Sequence, residues 1–222
     1  MSSLFVARME DLLDLYAEPF DPQRPVICVD EYPVALTAPT RAPLPVAPGL
    51  IAREDYEYER HGSCALFGAF QPLAGWRIVQ AHDRRTAQDF AQFLKHLVDQ
   101  DFPRATTLRL VLDNLNTHTL AALYDTFPAA EARRITRKLE FHFTPAHGSW
   151  LNMLEIEWSV LAQQCLNRHL PDRATVQTEV HAWAARRNAQ QDTVQWRFTT
   201  GDARQKMATL YPAELNPTPE RT

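Results

Sequence analysis

Three carboxylates stand where acidic side chains are able to act together: Asp30, Asp113 and Glu155. Asp30 ends the apolar run VICVD and Asp113 ends the apolar run TLRLVLD, so we predict that each closes a β-strand. Glu155 follows a third strand-like segment, FHF at 141–143, and opens a predicted helix. Ligands of open α/β sheets bind at the carboxyl ends of the strands, and neighbouring strands lie about 4.8 Å apart. We therefore expect the three carboxylates to meet at one edge of a sheet.

Such a set of three oxygen donors favours metal-dependent chemistry on phosphate groups. Hard oxygen ligands without a sulfur or imidazole cluster suit Mg²⁺ or Mn²⁺. Two such ions about 3.5–4 Å apart are able to activate a nucleophile and to stabilise the leaving oxygen of a phosphodiester. Without a cation, three neighbouring acids would repel one another and raise one another's pKa. The pattern therefore predicts metal-assisted phosphoryl transfer.

Structural interpretations of the same residues stay open at this point. An aspartate at a strand end is commonly a turn residue or a helix N-cap. Asn152, followed three residues later by Glu155, fits a capping box in which the glutamate bonds back to the cap. Glu157 is a competing acid on another face of the helix. Three histidines near these motifs are candidate ligands, although an isolated histidine is more often a hydrogen-bonded structural residue: His118, His142 and His147.

The order of the predicted elements indicates an α/β fold. Strand-like runs and helical patterns follow one another as β, ββ, α, β, α, β and then helices, which requires at least one parallel crossover. We predict a hairpin at 63–70 and 75–82, an extended proline-rich loop at 33–48, and helices at 4–16, 86–101, 119–138 with a break at Pro128, 172–187 and 202–210.

Composition describes an ordinary globular chain. The 222 residues are 45% hydrophobic and 23% charged, with a net charge of −4, which argues against a free-standing nucleic-acid binder but is compatible with a local basic patch. The three cysteines lack metal or disulfide spacing, which indicates a reducing compartment. The longest apolar run, CALFGAF at 64–70, is too short to span a bilayer, and the N-terminus lacks a secretory signal.

A resemblance to the DDE transposases of bacterial insertion sequences, in the superfamily shared with mariner elements, is carried by three segments: VICVDE, LRLVLDNLNTH and FHFTPAHGSWLNMLEIEWSVL. The third motif of that family reads Pro, a short gap, then Leu-Asn-x-x-Glu-x-x-Trp. Pro145 followed by LNMLEIEW at 151–158 matches it and selects Glu155 over Glu157. Further similar blocks extend the resemblance over almost the whole chain: RMEDLLDLY, PLAGWR, RRTAQDF and WRFTTGDARQKMATLYP.

The resemblance implies a ribonuclease H-like α/β domain, with a mixed central sheet flanked by helices. It implies that Asp30, Asp113 and Glu155 hold two divalent ions, Mg²⁺ or Mn²⁺. Water would then cut a DNA strand at the element's end, and the freed 3′-hydroxyl would attack target DNA at a TA dinucleotide. Five further residues match family positions near the site and are expected to support the three acids: Glu31, Asn114, His118, His147 and Asn152.

The family resemblance also sets expectations for domains and partners. We expect a linker helix over 1–22, the catalytic domain over 23–212 and a flexible tail over 213–222. The expected partners are DNA, as terminal inverted repeats and target, and a second copy of the chain in a homo-oligomer, with no membrane. Relatives carry an N-terminal helix-turn-helix region, which we expect to be separate or missing here. The expected location is the bacterial cytoplasm, near the nucleoid.

Two other functions remain possible from the sequence. A truncated, non-catalytic transposase would bind DNA or dimerise with intact copies and restrain them. A general ribonuclease H-like nuclease would cut nucleic acid without regard to terminal repeats.

Overall fold

A five-stranded mixed sheet forms the centre of the part of the chain that the computed structural model describes, residues 3–41, 57–113 and 119–211. The strands are β1 Val26–Pro39, β2 Tyr58–Gln71, β3 Trp76–His82, β4 Leu108–Leu112 and β5 Leu139–Phe143. Their order across the sheet is β3-β2-β1-β4-β5. β1, β2 and β3 pair antiparallel, whereas β4 joins β1 and β5 joins β4 in parallel. The predicted α/β class with parallel crossovers is confirmed.

Helices pack on both faces of this sheet. They are α1 Ser3–Ala17, α2 Ala87–His96, α3 Ala121–Thr126, α4 Ala129–Thr136, α5 Leu154–Leu161, α6 Arg173–Gln190 and α7 Thr200–Lys206. Helices α2 and α5 each continue into a π-helical turn, Leu97–Asp101 and Ala162–Leu166, and short 3₁₀ turns lie at Ser149–Leu151 and Ala208–Leu210. The predicted hairpin, the break at Pro128 and the helices on either side of it are confirmed.

The side chains of β1 divide between two apolar cores, because successive residues of a strand point to opposite faces of the sheet. Ile27 and Val29 join the core formed with α2, α3 and α4. Cys28 joins the core formed with α1, α5 and α6. Asp30, two residues after Cys28, therefore lies on the α5 face of the sheet.

Two predictions about the first strand are wrong. Asp30 does not end it, since β1 pairs with β2 as far as Pro39; Asp30 lies instead just beyond the point where the shorter strand β4 stops pairing, at Cys28. Pro33 does not begin a loop, because it lies opposite Ala65 in the β1–β2 ladder. Beyond Cys28 the described ladder gives β1 a partner on its β2 side, and a strand edge tolerates proline, which lacks an N–H group.

Helix α1 is part of the core, where Met9, Leu12 and Leu13 are fully buried. The division into a linker at 1–22 and a catalytic domain at 23–212 stays a prediction, and the predicted tail at 213–222 and the loop prolines from Pro43 onward lie outside the described residues. All three cysteines are buried free thiols, in agreement with the absence of a disulfide framework. Within the described residues, none of the helices has the length and apolarity needed to cross a membrane.

Candidate active site

The parallel pairing of β1 and β4 brings the first two acids together. Val26 lies beside Arg109 and Cys28 lies beside Val111. Continuing this register by two residues places Asp30 opposite Asp113, which directly follows β4. Both runs form strands because they are largely apolar and buried on both faces of the sheet, and the strand that Asp113 follows lies beside the strand that contains Asp30, as predicted.

Helix α5 supplies the third acid from the face above β1 and β2. Glu155 is the second residue of α5, and it is partly buried. The pKa of Asp30 is raised from 3.8 to about 7, mainly because the carboxyl group is buried, and also because the charges of Glu155 and Asp113 oppose its ionisation. The three acids therefore lie within electrostatic range of one another.

Two donors hold the carboxylate of Asp30. The backbone N–H of Glu31 donates to Oδ1 at 2.8 Å, and the indole Nε1–H of Trp158 donates to Oδ2 at 3.1 Å. Both hydrogen bonds favour the ionised form and so oppose the rise in the pKa of Asp30. The net pKa stays high because burial outweighs them.

Asn152 ties the start of α5 to β1. Its Nδ2 donates to the carbonyl oxygen of Val29 at 2.9 Å, one residue before Asp30, and its Oδ1 accepts from the backbone N–H of Leu154 at 3.1 Å. The capping-box interpretation of Asn152 and Glu155 is wrong, because the backbone N–H of Asn152 donates to the carbonyl oxygen of Ser149 at 2.7 Å. Glu155 is therefore not engaged in closing the helix end.

Glu157, the competing acid, is fully committed elsewhere. Its side chain is buried and its Oε2 lies 2.7 Å from Nε of Arg77, while Oε1 accepts from Nη2 of Arg187 at 3.0 Å. A buried carboxylate held by two guanidinium groups cannot leave them without a large desolvation cost. The structure therefore favours Glu155 over Glu157 as the acid available for chemistry.

The turn before α5 is held by a hydrogen bond from α1 and by close packing within the turn itself. The hydroxyl of Tyr16 in α1 donates to the carbonyl oxygen of Leu151 at 2.7 Å. Gly148 lies so close to Pro145 that a Cβ atom would come 2.6 Å from the ring Cγ. His147, in the same turn, is exposed and has a left-handed φ of 63°. These contacts fix the path by which the chain passes from β5 to Glu155.

The remaining candidate residues have different environments. His142 lies between two carboxylates, with Nδ1 2.8 Å from Asp11 of α1 and Nε2 2.9 Å from Glu140 of β5. Both ring nitrogens are therefore engaged away from the three acids. Glu31 is partly buried beside Asp30. Asn114 and His118 lie outside the described residues. The supporting roles expected for Glu31, Asn114, His118 and His147 remain predictions.

The donor chemistry of the three acids fits a hard divalent cation, since all the donors are carboxylate oxygens. Across the described ranges, with 42–56 and 114–118 left out, no group of three or more His, Cys, Asp or Glu side chains is drawn together as tightly as the ligands of one ion. The acids are thus neighbours that influence one another's charge, rather than a closed coordination shell.

Sequence reasoning missed the role of one residue at the site. Leu154, Trp158 and Leu161 recur at helical spacing, an apolar stripe that assigns Trp158 to the core. Trp158 is indeed only 3% exposed, yet its indole also donates to Asp30. A signal was present in Gly68, a glycine within the apolar run CALFGAF, because a glycine inside a strand often marks a close approach by another group. In the structure Trp158 is that group.

Known proteins resemble this chain both in sequence profile and in fold. The profile of the DDE superfamily endonucleases matches residues 25–177. No curated protein sequence matches the chain. Similar solved structures include the Mos1 mariner paired-end complex with Mn, at 15% identity and a TM-score of 0.51, over 86% of this chain and 59% of that chain. The pre-cleavage Mos1 transpososome has 15% identity and a TM-score of 0.53, over 94% of this chain and 63% of that chain. The Mos1 strand transfer complex has 17% identity and a TM-score of 0.52, over 85% and 57%.

At these identities the structural likeness shows the fold, which is the ribonuclease H-like mixed sheet that the sequence resemblance implies. The chain spans between 57% and 63% of the length of these Mos1 chains. The family profile covers more than half of the described sequence, from just before β1 into α6, and includes all three acids. The chain belongs to the DDE superfamily endonucleases.

Proposed function

We propose that this chain is the catalytic part of a transposase that cuts DNA at the ends of an insertion sequence and joins those ends to target DNA. Membership of the DDE superfamily endonucleases supports hydrolysis of phosphodiester bonds. The structural neighbours are described as a paired-end complex, a pre-cleavage transpososome and a strand transfer complex of Mos1, and these descriptions support an activity on DNA ends.

The observation that carries the proposal is the meeting of three acids from distant parts of the chain. Register places Asp30 beside Asp113, and Glu155 is near enough to raise the pKa of Asp30. Glu157, the nearest rival on the same helix, is neutralised by two arginines. Holding three acids close together costs free energy through their mutual repulsion, and a bound divalent cation would offset that cost.

Asp30, Asp113 and Glu155 would hold the divalent ions, with Mg²⁺ or Mn²⁺ as the fitting metals and two ions as the expected number. Two Mos1 neighbours are described as complexes with Mn and with Mg. Bound there, the ions would supply Lewis acidity toward the scissile phosphate and the attacking water. The protein's own part is to fix Asp30 through Glu31 and Trp158 and to fix the start of α5 through Asn152.

The proposed partners follow from the same activity. The chain would act on DNA, first at terminal inverted repeats and then at the target, and as a homo-oligomer that holds both ends. A helix-turn-helix part would supply recognition of the repeats. The site of action would be bacterial DNA in the cytoplasm.

The test is cleavage of end-labelled duplexes that carry the DNA flanking the gene, in Mg²⁺ or Mn²⁺ and in EDTA. One series uses the chain alone and a second supplies a helix-turn-helix part in trans. We expect strand cleavage at the repeat boundary that requires the metal. Loss of a metal ligand removes several kcal/mol of transition-state stabilisation, so Asp113→Asn and Glu155→Gln should cut about a thousandfold more slowly.

The matched control is Glu59→Gln, which neutralises an exposed glutamate on β2 and should leave cleavage unchanged. Cleavage by Asp113→Asn or Glu155→Gln at the wild-type rate would overturn the catalytic assignment. Equal cleavage of unrelated duplexes would point to a general nuclease instead. Binding of repeat DNA without cleavage, together with inhibition of an intact transposase, would point to a regulator.

A further inference from the structure

Trp158 and Glu155 lie on the same side of α5, because residues three apart in a helix are neighbours on its surface. Glu155 lies in electrostatic range of Asp30, and the indole of Trp158 donates to Oδ2 of Asp30 at 3.1 Å. One helical turn therefore presents a carboxylate and a hydrogen-bond donor to the same aspartate. The indole is 3% exposed, so water does not compete for this bond.

Gly68 makes the approach of the indole possible. It lies directly opposite Asp30 in the β1–β2 ladder. A Cβ atom on Gly68 would come 2.4 Å from Cη2 and 2.6 Å from Cζ2 of Trp158, far inside contact distance. The backbone of Gly68 does not have a positive φ, so its need for glycine comes from the space that the ring occupies. On the strand β1 side, the ring of Tyr32 packs against the indole with a centroid distance of 5.5 Å.

Filling the core does not by itself account for this arrangement. A buried indole N–H generally finds a partner, and Trp183 shows this at another place by donating to Oε1 of Gln164 at 2.9 Å. The partner of Trp158 is different in kind, since it is one of the three acids of the active site. The N–H of Glu31 donates to Oδ1 and the indole donates to Oδ2, so one donor on each oxygen fixes the plane of the carboxylate. The second lone pair of each oxygen stays available to a cation.

We propose that Trp158 is a positioning residue that orients the carboxylate of Asp30 for metal binding, with Gly68 providing the space that its ring requires. This inference rests on the proposed metal-dependent function of the three acids. Hydrogen-bonded partners that orient metal ligands typically contribute 10–100-fold to metal affinity or activity. Removal of the indole N–H should therefore weaken metal binding even where the fold is unchanged.

The first experiment measures Mn²⁺ binding directly, from the loss of the free-ion electron paramagnetic resonance signal on titration, and measures DNA cleavage separately. Trp158 is replaced by Phe and, to keep its shape, by 3-benzothienylalanine, which lacks the N–H. We expect both replacements to weaken Mn²⁺ binding by about 10-fold or more. Trp183→Phe is the matched control, since it deletes a buried indole hydrogen bond of the same kind and should leave Mn²⁺ binding within about twofold.

The second experiment uses the contact between Gly68 and the indole. Gly68→Ala should weaken Mn²⁺ binding because its methyl group displaces the ring, although the N–H is still present. In the Trp158→Phe background the smaller ring leaves room for the methyl group, so Gly68→Ala should add less than a twofold further loss. A full additional loss in the double variant would overturn the assigned role of Gly68.

The outcomes separate this inference from the proposed function. Wild-type Mn²⁺ affinity in the benzothienylalanine variant, with the wild-type chain cutting DNA normally, would overturn the role of Trp158 and leave the function intact. A wild-type chain that neither binds Mn²⁺ nor cuts DNA would overturn the proposed function itself. Equal loss of binding in Trp183→Phe would show that any buried tryptophan has this effect, and would also overturn the inference.

Discussion

The raised pKa of Asp30 makes a quantitative prediction about stability. The carboxyl group has a pKa of 3.8 in the unfolded chain and about 7 in the folded protein without metal. The folded state therefore binds a proton more tightly than the unfolded state, and the protein loses stability as the pH rises from about 4 to 7. Asp30→Asn removes this ionisable group, so the variant should become more stable than the wild type at alkaline pH.

The size of the effect follows from the shift in pKa. One pKa unit corresponds to about 1.36 kcal/mol, so a shift of about 3 units gives an upper limit of about 4 kcal/mol above pH 7. Part of that penalty is already present at pH 5, and the change between pH 5 and pH 8 is about 2.5 kcal/mol. The amide of asparagine accepts only one of the two hydrogen bonds from Glu31 and Trp158, at a cost of about 1 kcal/mol. This cost is the same at both pH values and so cancels from the difference.

Urea unfolding of the wild type and of Asp30→Asn, in EDTA at pH 5, 6, 7 and 8, measures the effect. Asp202→Asn is the control, because the pKa of Asp202 is lowered to about 2 by hydrogen bonds from Thr199. Asp202 is ionised in both states from pH 5 to 8, so its variant should be destabilised by an amount that does not change with pH. A difference between Asp30→Asn and the wild type that is equally independent of pH would refute the assigned environment of Asp30.

Three further predictions concern the elements around the site, each measured by chemical or thermal unfolding. Glu157→Gln should destabilise the protein by about 3–5 kcal/mol because the charge of Arg77 stays buried without its carboxylate partner, whereas Glu155→Gln should change the unfolding free energy by less than about 0.5 kcal/mol. Equal destabilisation by the two would contradict the division of roles on α5. Asn152→Ala should cost about 1–3 kcal/mol through two lost hydrogen bonds and should also slow cleavage. Gly75→Ala should cost about 1–3 kcal/mol, since φ is 63° and a Cβ atom would lie 2.6 Å from the backbone of Gln191; wild-type stability would show that this turn is free to move.

Local patterns predicted most of the fold because they reflect local physics. The run VICVD forms a strand because its apolar residues are buried on both faces of the sheet, and the helix after Thr86 begins there because Thr86 and Asp89 cap one another. The full length of β1 could not be predicted, because a proline such as Pro33 indicates a loop when the partner strand is unknown. A proline is accepted there because β4 stops pairing with β1 at Cys28, so that this part of β1 has a described partner only on its β2 side.

The site was predictable only in part, for a similar reason. Acid positions at the ends of apolar runs identify Asp30 and Asp113, but spacing alone leaves Glu155 and Glu157 as alternatives. What separates them is a pair of arginines, the buried Arg77 on β3 and the partly buried Arg187 on α6, which lie far from the helix in sequence and near it in the fold. Capping patterns also misled, because the backbone N–H that Glu155 would have accepted is satisfied by Ser149.

Helix α5 joins these observations into one structural argument. Asn152, just before α5, donates to the backbone of β1. Within α5, Glu157 pairs with arginines of β3 and α6, and Trp158 donates to Asp30 itself. The position of Glu155 is therefore set by three anchors, two on adjacent residues of β1 and one on β3 and α6. Because Asn152 lies two residues before α5 and also bonds to its first residue, Leu154, a shift at one anchor moves the others, and substitutions at Asn152 and Trp158 should be non-additive in Mn²⁺ affinity. Strict additivity in a double-mutant cycle would mean that each residue acts on its own neighbour and that α5 does not transmit the constraint.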